Sequence, residues 1–267
     1  MRKNILTLLL AVSLSLSLTA CGNSDAADST TLSVAASSTP HAEILEQVKP
    51  ILAEQGIDLQ IHVYDDYVVP NTAVEEGEEV ANYFQHLPYL ESFNAEHDTH
   101  LVSVGGIHIE PMGIYAGKTS SLEDLPDGSV IAIPNDPTNE GRALLLLEAQ
   151  GLITLAEDAG LEATPNDIVD DPKGLTFLTL DAAMLPKSIE EVDLSVINSN
   201  YALQAGLDPT SDALAIEDAD SPYVNIVAVK EGSEEDPAVL ALVEALQSDT
   251  IRTFIETTYG GAVVPAF

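Results

Sequence analysis

The segment Pro134-Asn135-Asp136-Pro137-Thr138-Asn139-Glu140-Gly141-Arg142 combines the residues most able to hold a small anion. It follows the apolar run Val130–Ile133 and precedes the apolar block Ala143–Leu147, so it reads as a strand end, a turn and a helix beginning near Asn139. Backbone N–H groups at such a helix start attract an anion, and Arg142, expected in the first turn, would add a two-point contact to a carboxylate. The plainer reading is an arginine neutralising a few of the many acidic groups on the surface.

A second cluster is Tyr83-Phe84-Gln85-His86-Leu87-Pro88-Tyr89-Leu90, at an expected strand-to-helix turn. Aromatic rings beside a histidine suit an apolar pocket with a polar handle, and suit plain core packing equally. A third is His97-Asp98-Thr99-His100, followed by His108 and Glu110. Histidines at i and i+3 with nearby carboxylates have the donor chemistry of a zinc or manganese site. The surrounding Asn94, Glu96 and Asp98 read instead as the exposed end of a helix, and no metal is expected.

Cys21 is the one cysteine, which excludes an intramolecular disulfide and a multi-cysteine zinc centre. It follows Arg2, Lys3 and the fourteen-residue run Ile5–Leu18, and closes Leu18-Thr19-Ala20-Cys21. A basic start, a short apolar stretch and small residues before a cut mark residues 1–20 as a secretory signal. The Leu-x-Ala-Cys ending resembles the lipobox of bacterial lipoproteins, in which the cysteine is lipidated and becomes the mature N-terminus. Residues 21–30, rich in Gly, Asn, Ser, Asp and Ala, read as a flexible tether.

Strands and helices alternate in the rest of the chain. Strands are expected at Thr31–Ala35, Ile57–Val63, Val80–Phe84, Leu101–Ile109, Val130–Ile133, Leu175–Leu180, Leu194–Ile197 and Tyr223–Val229. Helices are expected from Thr39-Pro40 to Gly56 (with a kink or early end at Pro50), from Pro88, over Asn139–Gln150, and over Pro237–Gln247 and Asp249–Tyr259. This order predicts a mostly parallel α/β architecture.

Of the 267 residues, 44 are acidic and 9 basic, a formal charge of −35. Removing the signal takes Arg2 and Lys3 and brings the mature chain to −37, with Arg142 and Arg252 its only arginines. Such a surface repels nucleic acid and anionic lipid headgroups, which excludes basic-patch binding. The chain carries no G-x-S-x-G, G-x-G-x-x-G, G-x-x-x-x-G-K-[ST] or H-E-x-x-H, so it does not read as an enzyme.

Seven segments, in order over residues 31–267, together resemble the NlpA-type lipoproteins, substrate-binding components of methionine ABC importers. They are Asp66-Tyr67-Val68-Val69-Pro70-Asn71, Phe84 to Leu90, Pro134 to Leu144, Ala183-Met184-Leu185-Pro186-Lys187-Ser188, Val196-Ile197-Asn198, Ser221-Pro222-Tyr223-Val224-Asn225 and Gly260-Gly261-Ala262-Val263. The resemblance implies a two-lobed, periplasmic-binding-protein-like (type II) α/β fold with a ligand cleft between the lobes. Lobe one would hold residues 31–113 plus 225–267, and lobe two 114–224, with crossings near Met112–Gly117 and Ser221–Asn225. It implies L-methionine as ligand and an ABC permease with its ATPase as partner. It further implies attachment to the outer face of the cell membrane through lipid on Cys21, with no cofactor and no catalysis. The ligand-binding residues it points to are Tyr67, Phe84, His86, Arg142, Asn198 and Asn225, with Tyr89 and Asn139 beside them. Related readings are another amino acid, D-methionine, a methionine dipeptide, or a surface lipoprotein without transport. A metal-binding lipoprotein using His97, His100 and His108 is a third.

Overall fold

The computed structural model describes residues 29–218 and 221–267. The signal segment, Cys21 and all of the tether up to residue 28 lie outside the described residues. Among those described, no helix is long and apolar enough to cross a membrane.

The chain runs β1 (Thr30–Ala36), α1 (Glu43–Ala53), β2 (Ile57–Val63), α2 (Val69–Glu76), β3 (Ala81–His86), α3 (Leu87–His97), β4 (Leu101–Ile109), β5 (Gly113–Ala116), β6 (Val130–Pro134) and α4 (Pro137–Ala149). It continues with β7 (Thr154–Leu155), β8 (Ile168–Asp170), β9 (Thr176–Leu180), α5 (Leu185–Ser188), β10 (Leu194–Ile197), α6 (Ser199–Gln204) and β11 (Ala213–Ile216). The last elements are β12 (Val224–Lys230), α7 (Pro237–Leu246), α8 (Asp249–Tyr259) and β13 (Val264–Pro265).

Two sheets organise these elements. The first has the order β13-β4-β12-β3-β1-β2 and the second β11-β5-β10-β6-β9; β7 and β8 form a separate ribbon. The chain passes from the first sheet to the second over residues 110–112 and returns over 217–223. Pairing is parallel for β1 with β2 and β3, and for β6 with β9 and β10. It is antiparallel wherever β12, β5, β11 or β13 takes part. The sheets are therefore mixed, not mostly parallel. A strand that enters a sheet straight from a crossing needs no helical crossover, so nothing obliges it to run parallel.

Each sheet is covered on both faces. On the first, α1, α7 and α8 bury Ile44, Leu45, Val48, Val239, Leu242, Ile251 and Ile255 against Leu32, Val34 and Val227. Val74 and Leu90, from α2 and α3, cover the other face. Central strands β3 and β10 are buried at every position, and so read as continuous rather than alternating runs. At the edge, β2 keeps its alternation, with Ile57 and Leu59 buried and Asp58 and Gln60 exposed.

Two local expectations change. Thr39 is extended, the Thr39–Pro40 peptide is cis, and α1 proper begins at Glu43, so Thr39 is not the cap of a helix with Pro40 in its first position. Pro50 does not end α1. Pro50 and Glu46, whose carbonyl loses its donor, both lie on the exposed face of the helix. Gly141, in the middle of α4, is required for packing: a β-carbon there would stand 2.2 Å from the Leu161 carbonyl oxygen and 2.7 Å from the Ala163 nitrogen.

Candidate functional site

Strands β3, β6 and β10 bring their C-terminal ends to one place, the position where α/β sheets receive ligands. His86 ends β3, Asp136 and Asn139 follow β6, and Asn198 follows β10. Asn225, at the start of β12, is paired in register with His86 on one side and His108 on the other. The eight residues singled out from the sequence all line one cavity, joined by Gln85, Glu110, Ser199 and Asn200.

One wall is aromatic. Tyr67 lies 5.8 Å from Phe84, 5.7 Å from Tyr89 and 5.0 Å from Tyr201 between ring centroids. Tyr67 Oη donates to Asn200 Oδ1 at 2.6 Å, and Tyr89 Oη donates to the Tyr67 carbonyl at 3.0 Å.

The polar wall is held in a defined order. His86 caps α3, its Nδ1 accepting the Tyr89 N–H at 3.1 Å, so the proton sits on Nε2, which donates to Asn139 Oδ1 at 3.1 Å. Burial, then the Arg142 charge, lowers the His86 pKa to about 3 and keeps the ring neutral. Asn139 Oδ1 also accepts from Asn198 Nδ2 at 2.8 Å, while its own N–H2 group donates to both Asp136 oxygens. Asn198 Oδ1 is buried without a hydrogen-bond partner and belongs to the cavity wall. A buried acceptor left this way marks where a donor from outside the chain fits.

Arg142 departs from the sequence-based picture. Helix α4 starts at Pro137, which puts Arg142 in the second turn. The helix start is already capped by Asp136, whose carboxylate takes the Asn139 N–H at 3.0 Å, so it is not a free anion site. The guanidinium is 3% exposed and heavily engaged. Nε and Nη2 donate to Glu217 (3.1 and 2.6 Å), Nη2 donates to the Glu110 carbonyl at 2.7 Å, and the group lies 4.3 Å above the Tyr223 ring centroid.

The proposed histidine trio does not assemble. His97 ends α3 with its ring on Phe93, His100 is exposed beside Glu75, and β4 carries His108 away into the core. The nine-residue strand separates what sequence proximity suggested. His108 instead meets His41 and Glu110, three buried residues whose donor atoms all lie within 4.8 Å of one another. Glu110 is the cavity residue the sequence reading placed elsewhere. The signal for it was the alternation Ile107, His108, Ile109, Glu110, which sets His108 and Glu110 on one face. Gln85, Ser199 and Asn200 carried no signal of their own.

Residues 32–267 match the family model described as NlpA lipoprotein. The methionine-binding lipoprotein MetQ of Bacillus subtilis is 44% identical over 253 residues, covering 92% of each chain. A crystal structure of a lipoprotein from Ruminococcus gnavus is 54% identical, with TM-score 0.88 over 90% of this chain and 100% of the other. A nutrient binding protein from Burkholderia cenocepacia, solved bound to methionine, is 42% identical with TM-score 0.85, covering 88% of this chain and 100% of its own.

Proposed function

This chain belongs to the NlpA lipoprotein family, and from that premise we propose that it is the substrate-binding lipoprotein of an ABC importer, capturing L-methionine and delivering it to the permease. Its architecture is the two-lobed periplasmic-binding-protein-like fold. We take residues 31–113 plus 225–267 as lobe one and 114–224 as lobe two, with closure by hinge motion at the two crossings. The protein binds and releases its ligand unchanged.

The observation that carries this reading is a cavity in which the Glu110 carboxyl, the Arg142 guanidinium and an aromatic wall face one space. Glu110 and the unpartnered Asn198 Oδ1 accept an α-ammonium; Arg142, through the part of its guanidinium that Glu217 and Glu110 leave free, takes the α-carboxylate. Tyr67, Phe84 and Tyr89 pack against a polarizable thioether. His86, Asn139 and Asn225 hold these groups in place. Titration calorimetry of ligand-freed protein against L-methionine, D-methionine, norleucine, alanine and a methionine dipeptide tests the reading. Tightest binding of L-methionine is expected, and a preference for the dipeptide or for alanine overturns it.

We further propose that the mature protein is held at the outer face of the cell membrane by lipid on Cys21. Two or more acyl chains give stable attachment where one is marginal. Cys21→Ser is expected to release protein from the membrane fraction or to leave an uncleaved precursor. An unchanged acylated mass in the variant, read by mass spectrometry, contradicts the assignment.

A further inference from the structure

Behind the cavity runs a buried hydrogen-bonded chain in which Ser37, His41, His108 and Tyr83 have no part in the ligand reading. Ser37 Oγ meets His41 Nδ1 at 2.6 Å, and His41 Nε2 meets Asn225 Oδ1 at 3.0 Å and Glu110 Oε1 at 3.2 Å. The same Glu110 oxygen meets His108 Nε2 at 2.7 Å, and His108 Nδ1 meets Tyr83 Oη at 2.5 Å. The two histidines are 1% and 0% exposed.

One proton arrangement satisfies every member. The Ser37 and Tyr83 hydroxyls donate to the two Nδ1 atoms, so both Nε2 atoms carry protons: His108 donates to Glu110 Oε1 and His41 to Asn225 Oδ1, with Glu110 Oε1 3.2 Å from the same His41 nitrogen. Burial lowers the pKa of His41 to about 4 and of His108 to about 3, which keeps both rings neutral and makes them pure donors on this side. A buried carboxylate is costly unless N–H groups surround it, and here they do. The His108–Glu110 separation of 2.7 Å is a hydrogen-bond length, and the His41 Nε2–H lies 3.2 Å from the same oxygen. With Oδ1 turned to His41, Asn225 offers its N–H2 end to the cavity it lines.

We propose that His41 and His108 are positioning residues that act through Glu110, holding an ionised carboxylate at the cavity wall and so setting the site's demand for a protonated amino group, while His41 also fixes the Asn225 amide. This rests on the amino-acid reading above. The groups facing Glu110 are His41 before α1, His108 on β4, Tyr83 on β3, the Asn200 N–H on α6, Arg142 on α4, Tyr67 before α2 and Tyr259 on α8. Burial raises the Glu110 pKa, opposed by His41, Arg142 and the Asn200 amide. Removing the positive N–H end of His41 beside Glu110 therefore raises it further, and the carboxylate is lost at a higher pH as acid is added.

The test uses ligand-freed protein, L-methionine and its des-amino analogue 4-(methylthio)butanoate, with dissociation constants measured from about pH 4 to pH 8. At neutral pH, His41→Leu is expected to weaken L-methionine about ten- to a hundredfold, the range for a hydrogen bond to a charged group, and to leave the analogue nearly unchanged. Its acid loss of L-methionine binding should begin at higher pH than in wild type. His41→Gln, which keeps an N–H donor, should recover most of the affinity. If His41→Leu fails to fold, Tyr83→Phe, which removes only the hydroxyl donated to His108, must shift the acid loss in the same direction. Equal weakening of both ligands with an unmoved pH profile would show a merely structural role and overturn the proposal. So would copurifying metal lost on His41→Gln. If wild type binds L-methionine and His41→Leu matches it throughout, this proposal alone fails; if wild type ignores L-methionine, the functional reading fails with it.

Discussion

Arg142→Ala is expected to weaken L-methionine binding by about 2–5 kcal/mol, the range for truncating one partner of a buried charge pair. The guanidinium is buried, fixed by Glu217 on one side and the Glu110 carbonyl on another, and stacked on Tyr223. A carboxylate arriving in the cavity therefore meets a cation whose orientation is already set, and little ordering entropy remains to be lost. Arg142→Lys should recover only part of the loss, because an ammonium cannot hold Glu217, the Glu110 carbonyl and a ligand at once through a planar fork. Methylating the ligand carboxylate should hurt wild type strongly and Arg142→Ala much less, since both changes remove one interaction. Additive losses in that cycle would mean that Arg142 does not hold the carboxylate. Arg252→Ala is the control: Arg252, on α8, reaches the Phe267 carbonyl and ring away from the cavity, and affinity should hold.

Phe84→Ala is expected to cost about 3–5 kcal/mol of folding stability, the range for deleting a buried phenylalanine. Its ring is 3% exposed and packs with Tyr89 and Tyr67. Tyr67→Leu is the informative partner, because Tyr67 is only half-buried and faces the cavity. It should cost less stability but narrow the preference for methionine over norleucine, as sulfur–ring contacts contribute about 0.3–1.5 kcal/mol. Urea unfolding reads the first effect and competitive calorimetry the second. An unchanged methionine-to-norleucine ratio in Tyr67→Leu would place the thioether elsewhere.

Much of the scaffold was legible because local rules governed it. Strands Ile57–Val63, Leu101–Ile109 and Leu194–Ile197 and helix Asp249–Tyr259 fall on the expected bounds, since their periodicity and flanking turn residues agree. Short elements such as β5, β11 and α6 were not legible, being too brief to show a period. Strand direction in the sheets was misread for another reason. Alternation of strand and helix suggests parallel pairing, but it does not record where the chain leaves one sheet for the other.

The sequence by itself offered an arginine able to hold an anion and aromatic rings beside a histidine, while Tyr67, Asn198 and Asn225 were named through the resemblance to the NlpA-type lipoproteins. The first two are properties of residue type and of position relative to strand ends, and both are local. Only the tertiary structure decided what each residue touches. Arg142 and Glu217 are 75 positions apart, His41 and Asn225 are 184 apart, and Tyr67 and Asn200 are 133 apart. It also moved Glu110 from a surface metal motif to the cavity wall and turned His108 from His100 toward His41. Such partnerships depend on the order of strands within each sheet and on the two crossings. No local pattern encodes these, because they are set by how apolar faces far apart in the chain bury one another.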